Sequence, residues 1–100
     1  MTVTVRKDGA KLTVIPEGKL VTGAAPEFEK AVMDNISGVT ELVFDFGRLD
    51  YTASVGLRIL LTCAKLMKKQ GSMKVINVTP PVMEVLGYTG LSEALDVTPA

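Results

Sequence analysis

The residues best placed to do chemistry are two hydroxyls, Thr52 and Ser54, in the segment Leu49-Asp50-Tyr51-Thr52-Ala53-Ser54-Val55-Gly56-Leu57-Arg58. Before it lies a run that is apolar on both faces except at Asp45 (Glu41 to Phe46), and after it a long helical pattern. A hydroxyl at such a junction meets the first amide N–H groups of a helix, which have no intrahelical acceptor and stand at the positive end of the dipole. A phosphoryl group carried there would be held by those N–H groups and would bring about two negative charges to an exposed end of a sheet. A docked partner would then be repelled. Gly56, two residues on, is expected to keep the first turn slim enough for another surface to approach the backbone. The plainer role for a hydroxyl in this position is a helix cap worth ~1 kcal/mol.

Other chemistries lack their residues. The chain has no histidine and one cysteine, Cys63. That removes Ser-His-Asp catalysis, phosphohistidine transfer, most zinc sites and CxxC redox exchange. No enzyme activity and no cofactor are expected. Asp45 and Asp50 could suggest an acidic metal pocket, but the lysine such a pocket needs, Lys74, falls at the start of its strand. Asp45 is better read as accepting loop N–H groups at a strand end. Cys63 lies mid-helix and reads as a small buried apolar residue. Met67, Met73 and Met83 read as core filling, ahead of a soft apolar surface. Arg58 is expected to be exposed, either solvated or paired with an acid of a partner.

The elements that position Ser54 follow from the patterning. Thr2 to Arg6 and Lys11 to Ile15 alternate as half-buried strands, and Asp8-Gly9 between them signals a tight hairpin. Pro16 should end the second strand or sit at its edge. Gly18 to Ala25 reads as a loop, with Thr22 as N-cap and Pro26 in the first turn of a helix. In that helix Phe28, Val32 and Ile36 recur at helical spacing, and Asn35 to Gly38 stops it. The Glu41–Phe46 strand suits a central position covered from both sides. A turn, Gly47 to Asp50, then leads to the longest helix, Ala53 to Lys69, with a buried stripe of Leu57, Leu60, Leu61, Ala64 and Met67. Gly71 terminates it. Met73 to Val78 is a further strand, and Thr79-Pro80-Pro81 opens a short helix to Leu86 that Gly87 ends. Leu91 to Leu95 allows one more turn, and the tail Asp96 to Ala100 is expected to be loosely held.

This order, β-β-α-β-α-β-α, implies an α/β fold: a mixed sheet of four or more strands, an N-terminal antiparallel hairpin, and helices packed mainly on one face. With 100 residues the chain suits a single domain spanning 1–100. It is 47% hydrophobic and 22% charged, which argues against disorder. Its formal net charge is zero and its basic residues are dispersed, so nucleic acid is not an expected partner. Apolar stretches such as Ile59 to Ala64 fall far short of the ~20 residues that span a bilayer. With no signal-peptide pattern and no possible intrachain disulfide, direct membrane insertion is not expected and the cytoplasm is the expected compartment.

Leu49 to Leu61 resembles the phosphorylation-site motif of STAS domains of the anti-sigma factor antagonist type. In that family the acceptor serine stands two residues before the glycine, which here is Ser54. Pro16-Glu17-Gly18-Lys19-Leu20 is similar to the family's Gly-x-(Leu/Ile) turn, and Leu86-Gly87-Tyr88-Thr89-Gly90-Leu91 to its Leu-x-x-Thr-Gly-Leu segment. The resemblance implies a non-enzymatic module of a partner-switching pathway. Unmodified, it would bind an anti-sigma factor serine kinase of histidine-kinase-like ATPase fold and free the sigma factor. Phosphorylation of Ser54 by that partner, with ATP and Mg²⁺, would separate the two, and a PP2C-type phosphatase would restore the hydroxyl. The implied contact surface takes in Thr52, Ala53, Val55, Gly56, Leu57 and Arg58, with Gly18, Lys19, Val21 and Thr22 beside it. Many members carry Asp at the Val21 position, and Asp or Ser at the Ala53 position. Stand-alone STAS proteins also resemble constitutive subunits of ABC-type lipid or anion transport assemblies, which is the alternative reading.

Overall fold

A computed structural model describes residues 1–100. The chain runs β1 (Thr2–Asp8), β2 (Lys11–Leu20), α1 (Ala25–Met33), β3 (Glu41–Asp45), β4 (Leu49–Thr52), α2 (Ser54–Gln70), β5 (Ser72–Val78), α3 (Pro80–Tyr88), α4 (Leu91–Ala94) and β6 (Val97–Pro99). The six strands form one mixed sheet in the order β1-β2-β3-β5-β6, with β4 paired to β2 beyond the end of β3. Only the β1–β2 pair is antiparallel. The fold is the expected α/β sheet with an opening hairpin and helices on one face, enlarged by two short strands.

The hairpin turn lies one residue later than its dipeptide suggested. Asp8 pairs with Lys11, so the central residues are Gly9 and Ala10. Only Gly9 has positive φ, at 59°, which is the type II′ pattern with glycine first. Pro16 does not end β2, which continues to Leu20. Gly18 N–H donates to Arg48 O at 3.0 Å. By the two-residue repeat, the Pro16 nitrogen faces the same side, at the gap where β2's partner changes from β3 to β4. A missing N–H there breaks no ladder bond.

The core is the helix-covered face. Val14, Phe44 and Val75 stand side by side across β2, β3 and β5, and all three are fully buried. Phe28 of α1 packs on Phe44 with ring centroids 5.6 Å apart, and Phe46 follows at 5.9 Å. The expectation that β3 is covered from two sides needs correcting. Its other face carries Glu41, Val43 and Asp45, and Val43 is buried between its strand neighbours Thr13 and Lys74, with no helix over it. Met67 is buried, and Met73 and Met83 pack on the core's margin as expected.

The buried stripe of α2 is rotated from the expected one. It contains Leu57, Ile59, Leu60, Cys63 and Met67, whereas Leu61 is 41% exposed and Ala64 is half-buried. Ile59 lies on the side of α2 that faces α1 across a shared groove, and it takes the place in the buried stripe expected of Leu61. Burial pushes the Cys63 thiol up to about 12, with Glu29 of α1 adding to the shift. Thr22 does not cap α1: the helix begins at Ala25 after Ala24, with no side-chain cap. Val21 O instead accepts from Ala24 N–H and Ala25 N–H at 2.9 and 3.0 Å. Gly87 lies inside α3, which runs to Tyr88. The tail is held, since Val75 N–H donates to Asp96 O at 2.8 Å and Ala100 N–H to Val78 O at 3.0 Å.

Candidate functional site

β4 is the element that places Ser54, and its first two residues, Leu49 and Asp50, were expected to be turn. Its two end residues, Leu49 and Thr52, are buried, and the two between them, Asp50 and Tyr51, are exposed. It lies parallel to the end of β2, pairing Lys19 with Tyr51 and Leu20 with Thr52, after a register shift at Gly18. Thr79 Oγ1 donates to Leu49 O at 2.8 Å, tying β4 to the start of α3. Ala53 N–H donates to Leu20 O at 2.9 Å. The residue before Ser54 is thus pinned to the last residue of β2.

Gly56 closes this junction from inside. A Cβ on it would lie 2.6 Å from Leu20 Cδ2 and closer still to Thr52 Oγ1. The glycine therefore lets the first turn of α2 settle onto the ends of β2 and β4. This corrects the expectation that it leaves room for an external surface. Thr52 is corrected with it: it is 1% exposed and its hydroxyl donates to Ala53 O at 3.0 Å, so it is neither an open acceptor nor a contact residue.

Ser54 is different in each respect. It is exposed and is the first residue of α2, with Ala53 as N-cap in extended conformation (φ −85°, ψ 174°). Its hydroxyl makes no hydrogen bond within the chain, and the Ser54 and Val55 N–H groups are first-turn donors without intrahelical acceptors. Gly56 N–H is already used by Ala53 O at 3.0 Å. No acid, base or metal-ligating cluster accompanies the hydroxyl.

Two grooves flank α2 here. One joins Ser54, Leu57, Arg58 and Leu61 to Thr89 and Leu91 at the α3–α4 turn. The other joins Val55, Arg58, Ile59 and Thr62 to Thr22, Ala25, Pro26 and Glu29. Of the expected contact residues, Ala53, Val55, Leu57 and Arg58 therefore gather around Ser54, with Leu57 largely buried as a groove wall. Thr22 joins them across the second groove, and exposed Lys19 and Val21 lie on the adjoining end of β2 and its turn. Gly18 serves as the bulge that sets the register. Tyr51, 42% exposed, and Leu61, Thr89 and Leu91 also border this surface and were missed. Tyr51 breaks the two-residue alternation that Leu49 would set, so no local pattern signals its exposure, and Thr89 and Leu91 are brought there only by tertiary packing.

The acidic-pocket reading dissolves. Asp45 Oδ1 accepts from Gly47 N–H at 3.0 Å and from Asn77 Nδ2 at 3.2 Å, the loop-anchoring role expected of it. Lys74 pairs instead with Glu41 at 3.7 Å.

Comparison with known proteins gives a consistent answer. The family model of the STAS domain matches residues 2–100. The chain is 32% identical over 92 residues to BtrV of Bordetella bronchiseptica, a protein assigned as an anti-sigma factor antagonist, covering 90% of this chain and 79% of that one. In structure it resembles an anti-sigma factor antagonist from Mycobacterium paratuberculosis, with TM-score 0.89 at 24% identity, covering 99% and 86% of the two chains. It also resembles the Bacillus cell fate determinant SpoIIAA in its phosphorylated form, with TM-score 0.75 at 18% identity, covering 96% and 90%.

Proposed function

The chain belongs to the STAS domain family, and from that premise we propose that it is an anti-sigma factor antagonist switched off by phosphorylation of Ser54. The observation that carries this reading is an exposed, unpartnered hydroxyl at the first residue of α2, held on a frame that the Ala53–Leu20 bond and the Gly56 contact make rigid. Unmodified, the face around Ser54 docks on an anti-sigma factor kinase of histidine-kinase-like fold and keeps it from its sigma factor. Val55, Leu57, Arg58 and Leu61 supply that face, with Lys19, Val21 and Thr22 at its side.

In the transfer, Ser54 Oγ forms a bond to the γ-phosphorus of ATP, the bond to the ADP oxygen breaks, and the hydroxyl proton passes to a base of the kinase. The chain supplies position and the partner supplies catalysis, with Mg²⁺ on the nucleotide. The product carries about two charges at the centre of the docking face, where desolvation and repulsion oppose rebinding. A PP2C-type phosphatase resets the hydroxyl, and all these steps take place in the cytoplasm.

The test is to incubate the chain with its cognate kinase and ATP and to locate the phosphate by mass spectrometry. Phosphate on Ser54, and none on Ser54→Ala, is expected; phosphate elsewhere alone would overturn the proposal. A second reading, a constitutive subunit of a transport assembly, draws on the apolar Val21 and Ala53 next to the hydroxyl. It requires that Ser54→Ala leave the chain's partner binding and its regulation unchanged.

A further inference from the structure

We infer that Arg58 is the positioning residue for the phosphorylated state: its guanidinium captures a phosphate on Ser54 and is thereby withdrawn from the partner. The inference rests on the Ser54 reading above and adds the means by which the modified state is held.

Ser54 and Arg58 stand four residues apart on one helix, where side chains share a face with Cβ atoms ~5–6 Å apart. The acid would be N-terminal to the base, the favourable orientation for such a pair. Both residues line the same groove, whose other walls are Leu57, Leu61, Thr89 and Leu91. Arg58 is the only charged residue there, so a dianion entering it meets one cation and no opposing carboxylate. Apolar walls on both sides reduce the water that would screen the pair.

Arg58 is also free to move. It is exposed and takes part in none of the chain's ion pairs. Its guanidinium makes no hydrogen bond within the chain; beyond the helix ladder, only its backbone carbonyl is engaged, accepting from Thr62 Oγ1 at 3.1 Å. It also borders the second groove with Glu29 of α1, the one acid lining either groove, without forming an ion pair with it. A guanidinium can bind carboxylate or phosphate through two parallel N–H···O bonds. The modified serine carries about two charges and stands on Arg58's own helix face, so it offers a better partner than Glu29 does. The unmodified chain thus presents a cation at the rim of both grooves, available to an acidic group of the partner. Phosphorylation satisfies that cation internally and fills the groove beside Leu61.

The experiment installs phosphoserine at position 54 during translation, so it does not depend on any kinase. The second phosphate ionisation is followed by ³¹P NMR titration in the Arg58 protein and in Arg58→Gln and Arg58→Lys, with folding verified by circular dichroism. The groups facing the phosphate are Arg58 of α2 and, across the ridge, Glu29 of α1; the α3–α4 turn contributes none to the groove. Arg58 should raise the acid constant about threefold over Arg58→Gln, the scale of an exposed helical ion pair strengthened by the second charge. Arg58→Lys should retain part of that increase. Equal ionisation in Arg58 and Arg58→Gln would overturn the inference. A kinase that ignored Ser54 would instead overturn the proposed function, so the two failures are distinct.

Discussion

Replacing Gly56 with alanine tests the junction that aims Ser54. In an exposed helical position this change stabilises, because alanine exceeds glycine in helix propensity by ~1 kcal/mol. Here the added methyl would stand 2.6 Å from Leu20 Cδ2 and 3.0 Å from Leu20 Cγ, and nearer to Thr52 Oγ1. Neither neighbour can yield easily. Leu20 is 1% exposed in the core, and the buried Thr52 hydroxyl is committed to Ala53 O. Overpacking of this kind costs about 1–3 kcal/mol, and loss of the Thr52 hydrogen bond adds about 1 kcal/mol. Set against the propensity gain, Gly56→Ala should destabilise by about 2 kcal/mol, lowering the Tm of a domain this size by ~10 °C. Urea unfolding and calorimetry would measure both. Gly87→Ala provides the control, since Gly87 lies within α3 and a Cβ there meets nothing within 4 Å. It should stabilise by about 0.5–1 kcal/mol. If Gly56→Ala were as stable as the parent, α2 would not be seated on β2 and β4 as described.

Two further predictions concern residues away from the docking face. The Cys63 thiol, raised from 9.0 to about 12 by burial, makes the folded state hold a proton that the unfolded state releases. Its contribution to stability is complete below pH 9 and is lost as pH rises from 9 through 12; Cys63→Ala should flatten that part of the stability profile, and thiol reagents should modify Cys63 only as fast as the chain unfolds. Asn77 has a left-handed φ of 56° and donates to Asp45 Oδ1 at 3.2 Å. Asn77→Val should destabilise by about 2 kcal/mol through backbone strain and the lost bond, whereas Asn77→Gly should cost less than half as much in denaturant titrations.

Local pattern was enough to locate the hairpin, α1, β3, α2, β5 and α3, because each carries its own periodicity or turn residues. β4 and β6 were not legible for the opposite reason. They are four and three residues long, and their stability comes from partners distant in sequence, Leu20 and Val75. Pro16 misled because a strand's tolerance for proline depends on which side its nitrogen faces, and only the assembled sheet fixes that. Ser54 was legible, since a hydroxyl before Val-Gly-Leu at a strand-to-helix junction is a local feature. The roles of Thr52 and Gly56 were not. Their spacing from Ser54 was correct, but only the packing of α2 on β2 and β4 shows that both face inward. The same packing exposes Leu61 and sets it, with Thr89 and Leu91, in the groove that Ser54 and Arg58 share.

The most direct test of the switch is the affinity of the cognate anti-sigma factor for two forms of this chain, one with Ser54 unmodified and one with phosphoserine at position 54, measured by isothermal titration calorimetry at fixed salt. Like charge placed in a docking face costs several kcal/mol, so the phosphorylated form should bind at least ~100-fold more weakly while remaining fully folded. Equal affinity of the two forms would contradict the account.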